Sequence, residues 1–232
     1  MSPQIWMRKS VLVSVAVAVL LLLLLILAIG PAYAGAVDLS NNLSQPKSSA
    51  RAPSALFWAA QEFTPTINNY YISDVKVPLC KLVAFDTTTY SVQFYSVGAE
   101  NKPGTKVADV TTNASAYSLA AYSPSSPCFP VDFPLNPRIA LSPNTPYYLV
   151  VHVNDASGRL AWDYTESTSG TGFPAGWAIS SDGGSSWPAP SQTDPLQMQI
   201  TADSSPAAVA LSSLRARTVP FDLAAWVAHL FK

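Results

Sequence analysis

Residues 91–97 read SVQFYSV, a run in which polar and apolar side chains alternate with a period of two. The same alternation occurs in DVKVPL at residues 74–79 and in LQMQI at residues 196–200. Successive side chains of a β-strand point to opposite faces, so this pattern is typical of half-buried antiparallel strands. Pro78 has no N–H to donate to a neighbouring strand, so we expect it at a sheet edge or a bulge.

Ten short runs of this kind lie between residues 55 and 203, separated by clusters of Pro, Gly, Asn and Ser. None has the 3.6-residue period of a long helix. The pattern predicts an all-β domain over residues 55–203, folded as an antiparallel, jelly-roll-like β-sandwich. A barrel is an alternative, whereas a propeller would require internal repeats that the sequence lacks.

The N-terminal residues 1–34 resemble an export signal. Arg8 and Lys9 precede the apolar run VLVSVAVAVLLLLLLILAIG, and Ala32-Tyr33-Ala34 offers a signal peptidase site. The apolar run is also long enough to stay in the membrane as an uncleaved anchor helix, which would then be the chain's membrane contact. In either case the basic residues stay inside, and we expect residues 35–232 to be secreted or displayed at the cell surface.

Two segments flank the predicted sandwich. Residues 35–54, GAVDLSNNLSQPKSSARAPS, are rich in Ser, Asn and Pro, and we expect a flexible spacer. Residues 204–232 form a C-terminal tail, and we expect a short amphipathic helix within it that begins near Pro220. One face of this helix would carry Leu223, Trp226, Val227 and Leu230. It is too short to span a bilayer, and it could contact a membrane surface, dock to a partner or fold back on the sandwich.

Charge and cysteine usage restrict the class of protein further. The formal net charge is −1, so nothing in the composition favours a nucleic-acid partner. Cys80 and Cys128 allow a single pairing, and an oxidising compartment favours a disulfide over two separate buried thiols. These two cysteines lack a zinc-ligand spacing, because they lie far apart and His152 and His229 are isolated in the sequence.

The segment SSDGGSSW at residues 180–187 matches the Asp-box pattern. We expect Asp182 to hydrogen-bond the turn backbone, Gly183 and Gly184 to adopt positive φ, and Trp187 to pack beneath. The motif is structural where it occurs in sialidases. A single copy therefore favours a turn over a glycosidase.

Aromatic side chains are the main candidates for a binding surface, because flat rings can stack on sugar faces. Trp162 and Trp177 also have the spacing of inward-facing core residues, and this alternative stays open. Calcium is a weaker possibility, since lone loop aspartates usually accept hydrogen bonds from turn amides. The candidate ligand-binding residues are Trp187, Trp177, Tyr164 and Asp163, and the weak calcium candidates are Asp155, Asp163 and Asp182.

Catalysis has little support in the sequence. Asp163 and Glu166 are close enough to suggest a carboxylate pair, but turn formation explains both. Neither histidine accompanies a recognisable nucleophile motif. The triplets at Asn42 and Asn113 match the N-glycosylation pattern, although chance explains two such triplets in a chain rich in Asn and Ser.

Two phrases carry a resemblance to a known family. NKPGTKVADV at residues 101–110 and LSPNTPYYLVV at residues 141–151 resemble the hairpin and strand signatures of the choice-of-anchor R domain. The resemblance covers roughly residues 57–201. It implies a β-sandwich module of the bacterial or archaeal cell surface, although this chain lacks an LPxTG motif and a lipobox cysteine.

The resulting hypothesis is a non-catalytic extracellular module in cell-surface attachment or envelope structure, without a required cofactor. Its partner would be a cell-surface glycan or an envelope protein. A carbohydrate-binding, lectin-like domain is the alternative, and a secreted hydrolase is a weaker one.

Overall fold

The structure is a computed structural model that describes residues 36–68, 70–82, 88–170 and 176–204. The predicted signal or anchor (residues 1–34) and the C-terminal helix lie outside the described residues. Within those ranges, no helix has the length and apolarity needed to cross a membrane.

The described residues form eleven strands and two short 3-10 turns at Ala99–Asn101 and Ala116–Ser118. The strands are β1 (Val37–Asn41), β2 (Ser49–Arg51), β3 (Trp58–Phe63), β4 (Tyr71–Lys81), β5 (Thr89–Val97), β6 (Pro103–Ser115), β7 (Pro130–Ala140), β8 (Tyr147–Val153), β9 (Leu160–Tyr164), β10 (Trp177–Ser180) and β11 (Gln199–Asp203).

These strands form two sheets in which the named pairs are antiparallel. One sheet has the order β1-β11-β4-β9-β2, with β7 also paired to β4, and the other has the order β10-β3-β8-β5-β6. The all-β, sandwich-like fold is therefore confirmed.

The apolar core draws one face from each sheet, as the alternation predicts. Tyr90, Val92 and Phe94 of β5 pack there, and so do Leu196 and Ile200 from the LQMQI run. Strand β8 is buried along its whole length, because it is central in its sheet and its outer face is also covered. Apolar burial on this scale is the main source of folding free energy.

The prediction that residues 35–54 form a flexible spacer is wrong. Within this segment, β1 pairs with β11 and β2 pairs with β9, so the segment supplies both edge strands of one sheet. Both strands are short and lie at sheet edges, where pairing depends on backbone atoms that amino-acid composition does not report. The folded domain therefore begins near Val37 and not near Ala55.

Pro78 also differs from expectation, because β4 is an interior strand without a register shift at this position. Residues 71–76 of β4 pair with β11 and residues 79–81 pair with β9, so Pro78 lies between the two ladders. On β7 its partner is Pro130, which has no N–H either. Pro78 therefore lies at a position where its missing N–H costs the sheet few inter-strand hydrogen bonds.

The predicted disulfide between Cys80 and Cys128 is confirmed. The two Cα atoms are 5.4 Å apart, and both residues are buried beside Ala161 of β9. The bridge fixes the segment before β7 to the end of β4.

The Asp-box segment forms the predicted turn. The Ser180 hydroxyl accepts a hydrogen bond from the Gly184 N–H at 2.9 Å, and Asp182 accepts one from the Ser186 N–H at 2.8 Å. Gly183 and Gly184 have φ values of 70° and 81°. The turn lies against Trp58, which stacks in parallel on His152 with ring centroids 3.8 Å apart. The turn therefore helps to cover the outer face of the five-stranded sheet.

We predict that removing the disulfide with a Cys80→Ala, Cys128→Ala double variant lowers the free energy of unfolding by about 2–4 kcal/mol. The bridge spans 48 residues, so its loss frees a long loop in the unfolded chain. Urea denaturation with and without reductant measures the effect. Reductant should shift the wild-type midpoint and leave the double variant unchanged, and an unresponsive wild-type chain would contradict the prediction.

A second prediction compares two neighbouring glycines. A Cβ on Gly184 would lie 2.5 Å from Cε3 of Trp58, whereas the nearest atom to a Cβ on Gly183 is the Ala55 carbonyl oxygen at 3.6 Å. Both substitutions to Ala incur the strain of positive φ, about 1–2 kcal/mol. Gly184→Ala should lose a further 1–3 kcal/mol, roughly, because the Trp58 ring must move. Equal unfolding free energies for the two variants would show that the Trp58 contact is unimportant.

Candidate functional site

Asp163, one of the predicted ligand-binding residues, is fully buried in β9. Its Oδ2 accepts a 2.6 Å hydrogen bond from the Cys128 N–H, and the Lys47 ammonium lies 3.3 Å from its Oδ1. Lys47 also donates to the carbonyl oxygens of Ser123 and Ser126 at 3.2 and 2.6 Å. The expectation of a turn-forming or ligand-binding Asp163 is therefore wrong, because its carboxylate joins three segments of the fold.

Opposing effects act on the pKa of the Asp163 carboxyl. Burial raises the pKa of the Asp163 carboxyl, while the Cys128 N–H and the Lys47 ammonium favour its charged form and limit the rise. Glu166, three residues further along the chain, is exposed. The two carboxylates thus occupy different environments, one buried and one exposed.

Trp187 packs beneath the Asp-box turn as predicted, and this burial contradicts its assignment as a candidate ligand-binding residue. It is 9% exposed and packs beneath the Asp-box turn with Ala60, Tyr148 and Val150 on the outer face of the five-stranded sheet. Trp162 is fully buried, and its indole N–H donates to the Gln197 carbonyl oxygen at 2.7 Å. Both tryptophans are structural, as the core alternative for Trp162 anticipated.

Tyr164 and Trp177 are partly exposed and are brought together by Arg51. The Arg51 guanidinium carbon lies 4.4 Å from the centre of the Tyr164 ring and 4.3 Å from that of Trp177. Strand pairing sets this arrangement, since β2 carries Arg51 alongside β9, which ends at Tyr164. We call Arg51, Tyr164, Trp177 and the neighbouring Asp194 the arginine–aromatic cluster.

Asp194 completes the cluster on its polar side. Its Oδ2 is 3.9 Å from an Arg51 terminal nitrogen, and the Thr193 hydroxyl is 3.4 Å from the same oxygen. The Trp177 indole N–H donates to the Thr193 carbonyl oxygen, which holds the ring in place. The Nε of Arg51 has no hydrogen-bond partner among the described residues. Flat rings beside a guanidinium, a carboxylate and a hydroxyl suit the binding of a polar ring such as a sugar.

Sequence reasoning identified the two aromatic residues of this cluster and missed Arg51 and Asp194. Arg51 fell in the presumed spacer, and Asp194 is a lone acidic residue near a proline. The three residues of β2, Ser49–Arg51, are too few to establish a strand period, so the sequence carried no usable signal for this strand.

The three calcium candidates are not brought together. Asp155 accepts a 2.8 Å hydrogen bond from the Thr89 N–H, and Asp163 is paired with Lys47. Hydrogen bonds from Ser186 and Ser180 lower the pKa of Asp182 to about 2. Across the described ranges, no group of three or more His, Cys, Asp or Glu side chains is arranged to hold a metal ion.

His152 is buried in β8 under the Trp58 ring. Burial lowers the pKa of its imidazole and so favours the neutral ring. Nothing in this arrangement activates a nucleophile.

A separate cleft of about 430 Å³ opens beside the disulfide. Phe129 lies at this cleft and is 73% exposed. Five of the thirteen residues that line the cleft are prolines, whose backbone nitrogens offer no N–H donors. The prolines are Pro46, Pro78, Pro124, Pro127 and Pro130.

No protein-family model matches the chain, and no curated protein does so either. Among solved structures, the chain is similar to the crystal structure of the cysteine protease and lectin-like domains of Cwp84, a surface layer associated protein of Clostridium difficile. The sequence identity is 12%, the TM-score is 0.40, and the match covers 69% of this chain and 37% of that one. The chain thus spans little more than a third of that protein chain. The resemblance to the choice-of-anchor R family stays a prediction.

We predict that Lys47→Met destabilises the domain by about 3–5 kcal/mol at neutral pH, because it leaves the Asp163 charge buried without its cation. The loss should shrink as the pH falls toward 4. A carboxyl with a raised folded-state pKa binds more protons in the folded chain, so protonation relieves the unpaired charge at acid pH.

Urea denaturation at several pH values, with an Asp163→Asn, Lys47→Met double variant, tests this prediction. The double variant should recover part of the lost stability and lose the pH dependence that Lys47→Met adds. A Lys47→Met loss that stays constant with pH would contradict the role assigned to the Asp163 charge.

Proposed function

We propose that this chain is a non-catalytic, extracytoplasmic, jelly-roll-like β-sandwich module that acts in cell-surface attachment or envelope structure. The observation that carries the proposal is the buried Cys80–Cys128 disulfide, since such bridges persist mainly in oxidising compartments. The export-type segment at residues 1–34 agrees with this location. The resemblance to the choice-of-anchor R domain supports the same role.

A binding role is favoured over catalysis by the state of the candidate catalytic groups. Asp163 is committed to Lys47 and the Cys128 N–H, and His152 is held under Trp58. General acid–base chemistry needs groups that can reach a substrate, and these two side chains are buried. The function proposed here therefore rests on surface contacts.

Carbohydrate binding is the second candidate, and the arginine–aromatic cluster favours it. Tyr164 and Trp177 are partly exposed, and Arg51 and Asp194 have side chains 29% and 33% exposed. Arg51 covers one face of each ring, so a sugar would contact the remaining exposed ring surface while the guanidinium and carboxylate bond its hydroxyls. We propose this cluster, at the edge of the sandwich, as the contact surface for a cell-surface glycan.

Two binding measurements on residues 35–232 separate these functions. The first measures binding to isolated cell envelopes before and after protein is stripped from them, and the second uses a glycan array. We expect envelope binding in the first experiment. If the cluster binds a glycan, binding should survive stripping and should weaken by about tenfold in Arg51→Gln or Trp177→Leu, equivalent to about 1.4 kcal/mol.

Phe129→Ala provides the matched control, because it removes an exposed ring that lies at the proline-lined cleft. Equal losses in the control and in the cluster variants would indicate non-specific apolar adhesion. A silent array with envelope binding lost on stripping would exclude the glycan and point to an envelope protein. A correctly folded chain that binds neither preparation would overturn the attachment function.

A further inference from the structure

The two glycosylation triplets of this chain lie in opposite environments. Asn42 is fully buried, while Asn113 is exposed on β6. We infer that Asn113 is an acceptor for N-linked glycosylation in the folded chain and that Asn42 is not. This inference does not depend on the attachment function proposed above.

Asn42 is held by hydrogen bonds to the chain just before β11. Its Oδ1 accepts from the Met198 N–H at 2.7 Å, its Nδ2 donates to the Leu196 carbonyl oxygen at 3.2 Å, and its own N–H donates to the Met198 carbonyl oxygen at 3.1 Å. The amide nitrogen that would receive a sugar is thus occupied and inaccessible. Modification would require this part of the sheet to open, which is a rare event in a stable domain.

Asn113 lies where β6 departs from regular pairing. Tyr90 pairs with Ala114 and Val92 pairs with Thr111, so residues 112 and 113 together oppose Ser91 alone. Asn113 has a φ of 55°, the left-handed conformation of a β-bulge. The bulge therefore takes Asn113 out of the regular ladder.

The side chain of Asn113 is oriented with its amide nitrogen available. Its Oδ1 accepts a 3.0 Å hydrogen bond from Asn154 Nδ2, and among the described residues its own Nδ2 makes no hydrogen bond. Ser115, the third residue of the triplet, is also exposed. Within the part of the chain that the structure describes, β6 is the last strand of its sheet, and no further strand pairs beside Asn113.

The reaction is the transfer of an oligosaccharide from a lipid-linked phosphate or pyrophosphate donor by an oligosaccharyl transferase. The Asn113 Nδ2 forms a bond to the anomeric carbon, the bond from that carbon to the phosphate oxygen breaks, and the lipid phosphate leaves with the electron pair. One amide proton passes to a base of the transferase. The product carries a bulky, hydrated group beside the open edge of β6, where it would oppose edge-to-edge association.

The test uses the full chain, exported and oxidised by a host that lacks N-glycosylation. The folded chain and a reduced, alkylated and unfolded sample are each incubated with a purified oligosaccharyl transferase that recognises Asn-X-Ser/Thr and with its lipid-linked oligosaccharide. Peptide mass spectrometry then measures the occupancy of each triplet. We expect the folded chain to carry the glycan at Asn113 in at least about tenfold excess over Asn42, and the unfolded chain to carry it at both sites.

Asn113→Asp is the matched control, because aspartate keeps the oxygen that faces Asn154 and tolerates positive φ but has no amide nitrogen. It should abolish modification of the folded chain, and Ser115→Thr should preserve it. Equal occupancy of both sites in the folded chain would overturn the inference. So would an unmodified Asn113, whether the unfolded chain is modified there or the triplet fails as an acceptor in both samples.

Discussion

The ion pair between Asp163 and Lys47 is the interaction on which the arrangement of the domain depends. Burying a carboxylate is costly unless its charge is compensated, and here the Lys47 ammonium lies 3.3 Å from one oxygen while the other accepts a hydrogen bond from the Cys128 N–H. Lys47 comes from the segment between β1 and β2, and Cys128 precedes β7. The pair therefore fixes the N-terminal segment and the disulfide loop to the same strand, β9.

The aromatic residues are divided between covering the sandwich and facing solvent. Trp58, His152 and Trp187 close the outer face of the five-stranded sheet, and the Asp-box turn lies over them. That face is consequently occupied by the protein's own side chains. Partly exposed rings remain at the edge, where Arg51 lies over Tyr164 and Trp177. A ligand would thus meet this molecule at an edge between sheets.

The sequence supported the parts of the fold that depend on local periodicity. Alternation predicted the inward-facing residues of β5 and of the LQMQI run that leads into β11, and the cysteine count left one possible bridge. It did not predict β1 and β2, because short edge strands are held by backbone bonds whose partners are more than a hundred residues away. Asp163 was misread for a similar reason, since a buried carboxylate in a strand becomes plausible only when a distant Lys47 is known to reach it. Half of the arginine–aromatic cluster was missed along with β2.

The antiparallel pairing of β1 with β11 has a mechanical consequence. Val37 lies opposite Ala202, so the chain enters and leaves the described domain at neighbouring points. Pulling these two points apart would peel β1 from β11 one residue pair at a time, whereas strands pulled along their length resist through all their bonds together. The sandwich would therefore yield to low tension applied through both ends. If the domain were attached through one end only, no tension would act across the β1–β11 pairing, and its hydrogen bonds would carry little of the applied force.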